Sequence, residues 1–256
     1  PGSPTTTWLA AKIYTHPERM NEIIAEHLPS LLTALGTDSC WWLRYRSPQE
    51  TDHLRLRIRS EHACVDKIGE WAQRLRQANL AGRLAFDTYY PENGRYGSGP
   101  AMEAAEAVFV ADSAVVAASL AKASGVRSTA LVVANMVGIV KGFLGESAAM
   151  NWLVNRPAPA TPSAERALAD EAITLALGPV APEISEQHWH SRTDALTAYR
   201  RWLSTDVNQD GVLESLLHMH HNRAIGIDPA QERSCRRLAR QAAYAWQAQQ
   251  AAGARG

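Results

Sequence analysis

His53-Leu54-Arg55-Leu56-Arg57-Ile58-Arg59 sets three aliphatic side chains in strict alternation with three guanidiniums. A strand has a period of two, so this order puts Arg55, Arg57 and Arg59 on one face and Leu54, Leu56 and Ile58 on the other. Such a segment belongs in an antiparallel sheet with one packed face. Immediately upstream, Ser47-Pro48-Gln49-Glu50-Thr51-Asp52 is rich in turn formers and follows a second strand-like run, 40–46, so the two pair as a hairpin. Residues 8–14 read as a short apolar strand. Residues 18–35 carry helical spacing through Met20, Ile23, Ile24, Leu28 and Leu31, residues 62–78 look helical, and 83–90 is a further strand stopped by Pro91. The segment 91–100 packs prolines and glycines too densely for a regular element and predicts a loop with unusual backbone angles. From 101 onward the chain is rich in Ala, Leu and Glu at helical spacing. It is broken near Gly125, Gly145, 157–162, 178–182, 206–211 and 226–229. Strands followed by helices, with no linker between them, predict one α+β domain over residues 4–256. In it an antiparallel sheet from the N-terminal third packs against a mainly helical C-terminal half.

The bulk properties narrow the function classes. A chain of 256 residues with 46% hydrophobic and 20% charged residues is long enough to bury roughly three quarters of its unfolded surface. The 26 basic residues balance the 26 acidic ones, which removes the field expected of a protein that holds nucleic acid directly. Any anion recognition must be local. Cys40, Cys64 and Cys235 are odd in number and lack metal-type spacing, which fits reduced thiols in a cytoplasmic protein. No apolar run is expected to approach the ~20 residues that span a bilayer, and the start lacks the basic and apolar regions of a signal peptide. The opening Pro1-Gly2-Ser3 reads as an expression scar.

Three segments carry candidate chemistry. The arginine strand is either a solvated outer face or a carboxylate or phosphate site, and spacing alone favours the solvated face. Arg44 on the neighbouring strand and Arg95 in the loop after a third strand shift the balance toward anion capture. In Glu92-Asn93-Gly94-Arg95-Tyr96-Gly97 the glycines permit a tight excursion holding an acid and a base together, which by spacing alone is an ordinary surface ion pair. Ser215-Leu216-Leu217-His218-Met219-His220-His221-Asn222-Arg223 reads as helix. It lacks the acidic partner and spacing of a zinc site, and His218 is a reasonable proton carrier favoured only weakly over His220. Asp206-Val207-Asn208-Gln209-Asp210-Gly211 copies the opening of a calcium loop, but its twelfth position is Leu217, so it reads as a helix cap and turn. Asp112 and Ser113 lie near the apolar stripe of their helix and read as a satisfied structural pair.

Taken in order, Trp41-Trp42-Leu43-Arg44-Tyr45-Arg46, His53-Leu54-Arg55-Leu56-Arg57, the Glu92 to Gly97 loop, Ala105-Glu106-Ala107-Val108-Phe109-Val110-Ala111-Asp112-Ser113 and His218-Met219-His220-His221-Asn222-Arg223 form a set. With it the chain resembles the thiopeptide-type bacteriocin biosynthesis proteins, which are similar to the C-terminal glutamate-elimination domain of class I lantibiotic dehydratases. The resemblance runs from about Trp8 to the helix near Trp246. It implies a carbon–oxygen lyase that removes glutamate from glutamylated Ser or Thr of a precursor peptide bearing a leader, giving dehydroalanine or dehydrobutyrine. It also implies a separate enzyme that places the glutamyl ester from glutamyl-tRNA. His218, Arg55, Arg57, Glu92 and Arg95 are then the catalytic positions, lining one pocket, with Arg44, His53 and Tyr96 as substrate contacts. No metal or organic cofactor is expected, no direct nucleic acid or membrane partner, and a homodimer stays an option. Two alternatives stay open. Thiopeptide pyridine synthases share the fold and join two dehydroalanines in a formal four-plus-two cycloaddition with loss of the leader, and a stand-alone chain suits that branch. The other is a non-catalytic leader-binding subunit.

Overall fold

The computed structural model describes residues 7–60, 64–157, 165–204 and 207–254. Its contacts fall into two compact units. The first is residues 1–91 with 222–227, and the second is residues 92–221 with 228–256.

The first unit carries the sheet. Strands β1 (Thr7–Tyr14), β2 (Cys40–Tyr45), β3 (His53–Ser60) and β4 (Arg83–Asp87) lie in the order β2-β3-β1-β4, every neighbour antiparallel. Between β1 and β2 come helix α1 (Pro17–Glu22), a π-helical turn (Ile23–His27) and helix α2 (Leu28–Leu35); between β3 and β4 comes α3 (Val65–Gln77). This is the β-α-β-β-α-β order of a split βαβ sheet. The single helix read over 18–35 is therefore interrupted. Pro29 has no N–H to offer the preceding turn and its ring crowds the carbonyl four residues back, so the chain widens to a π turn. The strand read over 83–90 stops at Asp87. Ala11, Ile13, Leu54, Leu56 and Ile58 are fully buried on one sheet face, and Met20, Ile23, Ile24, Leu31, Ile68, Trp71 and Leu75 complete the core of this unit. Leu54, Leu56 and Ile58 are thus the packed side that the alternation called for.

The second unit is helical among its described residues. It comprises α4 (Asn93–Tyr96), α5 (Pro100–Leu120), α6 (Gly125–Leu144), α7 (Glu146–Val154), α8 (Arg166–Leu177), α9 (Glu186–Trp202), α10 (Gln209–Ala224, through His221) and α11 (Pro229–Gly253). The α+β class follows from the sheet of one unit and the helices of both. By length and composition α6 could cross a membrane. This corrects the expectation that no apolar stretch reaches spanning length, because Arg127, Asn135 and Lys141 interrupt the run in sequence without spoiling the helix. Its apolarity has a local cause: 67% of its apolar window is buried, and it packs against α8, α9 and α11. At Gly138 a Cβ would stand 2.4 Å from the Trp189 ring, so α6 and α9 approach through a position only glycine fits.

Candidate functional site

In the first unit the arginine face is neither bare nor simply wet. Cross-strand register sets Arg57 opposite Trp41 on β2 and Ala10 on β1, with Asp87 of β4 opposite Ala10, and sets Arg59 opposite Trp8. The Arg55 guanidinium lies 3.3 Å from the Tyr45 ring centroid, Arg57 lies 5.7 Å from Trp41 and 5.5 Å from Tyr89, and Arg59 lies 5.7 Å from Trp8. Each cation is therefore laid on an aromatic surface, which attracts it through the ring quadrupole and removes water.

Arg55 also has a counter-ion. Its Nη2 reaches Glu50 at 3.4 Å, and Glu50 accepts from Lys12 Nζ at 2.8 Å and Tyr14 Oη at 2.9 Å. Hydrogen bonds from Lys12 and Tyr14 hold the Glu50 carboxyl down at about 2. His53 is fully buried. Its Nδ1 donates to the Thr51 carbonyl at 2.7 Å and its Nε2 accepts from Arg55 Nε at 3.3 Å, so it orients Arg55 as a neutral ring; burial lowers its pKa. Arg57 differs. It is 8% exposed, its Nη1 donates to the Leu56 carbonyl at 3.0 Å, and among the described residues no carboxylate is in ion-pair contact with it, the Asp87 charge acting on it only from a distance. Its Nε has no hydrogen-bond partner, and burial lowers its pKa from the usual arginine value.

Arg44 does not join this face. It stands opposite Leu54 in the β2–β3 register, which turns it to the other side of the sheet from Arg55 and Arg57. There its Nη2 donates to Asn21 at 2.7 Å and its Nε to the Arg223 carbonyl at 3.0 Å, while Arg223 Nε donates to the Trp42 carbonyl at 3.2 Å. Arg44, expected as a substrate contact, thus lies on the sheet face opposite the three guanidiniums, engaged with Asn21 and the Arg223 carbonyl. Arg223 of the histidine motif meets the Trp42 carbonyl of β2, an edge strand of the sheet.

In the second unit the loop read over 91–100 contains one turn of helix, α4, and then Gly97 and Gly99 at φ 89° and 59°. Those two angles lie in the region that favours glycine, and they reverse the chain between α4 and α5. Arg95 pairs with Glu92 at 3.2 Å, both about half exposed. Tyr96 is turned the other way. Its ring is buried and meets Phe109 edge to face at 5.0 Å, and its carbonyl accepts from Tyr199 Oη at 2.9 Å, so it anchors the loop. A cleft of about 710 Å³ opens beside this loop, lined by Arg95, Gly97, Asn208, Gly211, Val212 and Ser215. Ser215 is one helical turn before His218 on α10.

The neighbouring histidines separate cleanly. His218 is 46% exposed and its Nδ1 is 2.9 Å from Glu232 on α11. Burial alone would raise the Glu232 carboxyl, but hydrogen bonds from His218 and Arg236 outweigh it and hold it at about 2. His220 is fully buried, with Nδ1 2.9 Å from Asp112 on α5, and Asp112 also accepts from Arg192 on α9 at 3.0 Å. His221 is fully buried as well. The Asp112–Ser113 pair is corrected: Asp112 is the anion of a buried Asp–Arg–His cluster, while the Ser113 hydroxyl has no hydrogen-bond partner. Sequence reasoning missed Glu232, Arg192 and Tyr89. None has a spacing signal, because each meets its partner across the fold.

The calcium-like segment caps α10, with Asn208 Oδ1 accepting from the Gly211 N–H at 3.1 Å and Asp210 accepting from Trp152 Nε1 at 2.8 Å. Asp206 lies outside the described residues, as do Pro1-Gly2-Ser3. Among the described residues one group of metal-ligating types comes together, Glu22 at the end of α1 with Glu26 and His27 of the π turn. Its carboxylates are partly to fully exposed and Glu22 already pairs with Arg19 at 3.5 Å, so it reads as a charged helix surface.

Comparison with known proteins gives these features a setting. The sequence profile described as lantibiotic biosynthesis dehydratase C-term matches residues 8–244. The chain is 30% identical over 117 residues to the nisin biosynthesis protein NisB of Lactococcus lactis subsp. lactis, and 30% identical over 120 residues to the subtilin biosynthesis protein SpaB of Bacillus subtilis. Each match covers 44% of this chain and only 12% of the relative. The fold is shared with the crystal structure of the tRNA dependent lantibiotic dehydratase MibB from Microbispora sp. 107891, at TM-score 0.74 and 19% identity over 98% of this chain and 29% of that one. It is shared at TM-score 0.55 and 14% identity with the pyridine synthase TbtD from thiomuracin biosynthesis, over 93% of this chain and 98% of that one. With the profile running from the first strand to the last helix, the chain belongs to the lantibiotic biosynthesis dehydratase C-terminal family.

Proposed function

We propose that this chain is a lyase that eliminates glutamate from glutamylated serine or threonine of a ribosomally made precursor peptide, leaving dehydroalanine or dehydrobutyrine. The observation that carries this is Arg57, a guanidinium walled by Trp41 and Tyr89 with no carboxylate partner among the described residues. A cation so far removed from water is costly until an anion meets it. A carboxylate matches the guanidinium fork, and Arg55 beside it adds a second fork already oriented by His53 and Glu50. Membership in the dehydratase family supports glutamate as the bearer of that carboxylate.

The chemistry divides among the remaining residues. His218, the exposed histidine of its motif, takes the α-proton of the acylated residue. The released electron pair becomes the Cα=Cβ bond, the Cβ–O bond breaks, and glutamate departs as a carboxylate. Arg95 disperses the negative charge that grows in the transition state, where a placed cation is worth most. Glu92 holds Arg95 or meets the ammonium of the glutamyl group. The peptide arrives with its leader, and a separate tRNA-dependent enzyme in the same cytoplasm supplies the ester.

Variants test these roles on a glutamylated peptide. His218→Ala is expected to slow turnover by roughly 10²–10⁴, the usual scale for a general base, and Arg57→Lys to fail because a point charge does not replace a planar fork. Wild-type rates in either variant would overturn the assignment. The fold shared with TbtD carries a second reading, cyclisation of a peptide bearing two spaced dehydroalanines with release of water and leader. That peptide, offered in parallel, is expected to persist unchanged.

A further inference from the structure

The strongest unassigned arrangement in the helical unit is the chain of charges behind His218. His218 Nδ1 stands 2.9 Å from Glu232 Oε2. The other oxygen of Glu232 accepts from Arg236 Nη2 at 2.8 Å and Nε at 3.0 Å, and Arg236 is itself held by the Glu214 side chain and, at 3.0 Å, by the Glu214 carbonyl. The Glu232 side chain is 14% exposed while His218 is 46% exposed, so the carboxylate sits on the inner side of the ring. Although burial alone would raise the Glu232 carboxyl, hydrogen bonds from His218 and Arg236 outweigh it and keep Glu232 ionised, held at about 2. An ionised carboxylate only accepts hydrogen bonds.

We propose that Glu232 is a positioning residue that holds the neutral His218 ring as its Nδ1–H tautomer, so that Nε2 is the nitrogen that takes up a proton. The ring donates Nδ1–H to Glu232, its plane is fixed by that bond, and Arg236 fixes the carboxylate in turn. When Nε2 accepts the substrate α-proton, the ring becomes an imidazolium whose new charge lies beside an anion already in place, so little reorganisation is needed. The same logic gives orienting carboxylates their value behind catalytic histidines generally. What the base does with its proton rests on the elimination reading; the tautomer does not.

Long-range proton–nitrogen NMR correlations of the full chain labelled at histidine test this, with the His218 signals identified by their loss in His218→Gln. The wild type is expected to show Nδ1–H and a bare Nε2 for neutral His218. Glu232→Gln keeps an oxygen acceptor and should retain that pattern, whereas Glu232→Ala should move the proton to Nε2. With a glutamylated peptide, Glu232→Ala should lower kcat at least roughly tenfold, up to the about 10⁴-fold scale known for a triad histidine that loses its orienting carboxylate, with KM little changed. Asp228→Ala removes the side-chain cap of α11 and serves as a merely structural control that should leave the tautomer alone. An Nε2–H ring in the wild type, an unchanged tautomer in Glu232→Ala, or an equal change in Asp228→Ala would overturn the proposal. A wild-type chain that shows the expected tautomers yet releases no glutamate would support the role of Glu232 and defeat the elimination reading instead.

Discussion

Arg57 is held between two aromatic rings with no carboxylate in ion-pair contact among the described residues, and burial outweighs the distant Asp87 charge in lowering its pKa. Replacing such a cation with a side chain of similar volume is often neutral or stabilising. Arg57→Leu is therefore expected to leave the thermal midpoint unchanged or higher while abolishing turnover, and a clear loss of stability would mean that Arg57 is structural. Glu50 behaves in the opposite way. Its folded pKa is depressed from 4.5 to about 2 by Lys12 and then Tyr14, so its stabilisation is present above about pH 4.5 and fades as pH falls toward 2. Urea midpoints of the wild type and Glu50→Gln should differ near neutrality and converge across that window. At this scale the alternation in 53–59 made the arginines legible. Their aromatic walls were not, since Trp41 and Tyr89 reach Arg57 through the register of β2 and from beyond the end of β4. The difference in setting between His218 and His220 was equally hidden, because His220 meets Asp112, over a hundred positions earlier.

Among the elements, the short span from α4 to α5 has least room for change. Gly97 has φ 89°, and a Cβ there would stand 2.8 Å from the Cβ of Ala101. Gly97→Ala should strain the turn and displace the Glu92–Arg95 pair, lowering both the thermal midpoint and the rate; unchanged values would show that the turn tolerates the residue. At α11, Asp228 accepts from the N–H groups of Ala230 and Gln231 with Pro229 at the first helical position. Asp228→Ala should cost about 1 kcal/mol in denaturant unfolding. These caps, glycines and prolines are local signals, which is why the element order was readable in advance. The boundaries that moved did so for tertiary or proline-specific reasons: the π turn answers Pro29, and β4 stops at Asp87 although its apolar pattern runs on.

For the whole molecule, the α+β class was legible because the switch from a period of two to a helical period falls near residue 100. Which residues act together was not, because Glu232, Arg236 and Glu214 pair across helices that no spacing connects. The two curated relatives are matched over only 12% of their lengths, and MibB over 29%, so the activity of this chain has to be measured on the chain itself. The most direct measurement incubates it, without tRNA, ATP or a partner enzyme, with a peptide carrying one glutamylated serine, and counts free glutamate against dehydroalanine by mass spectrometry. One glutamate per dehydroalanine is the expected result; an intact ester, or glutamate released with the serine restored, would contradict it.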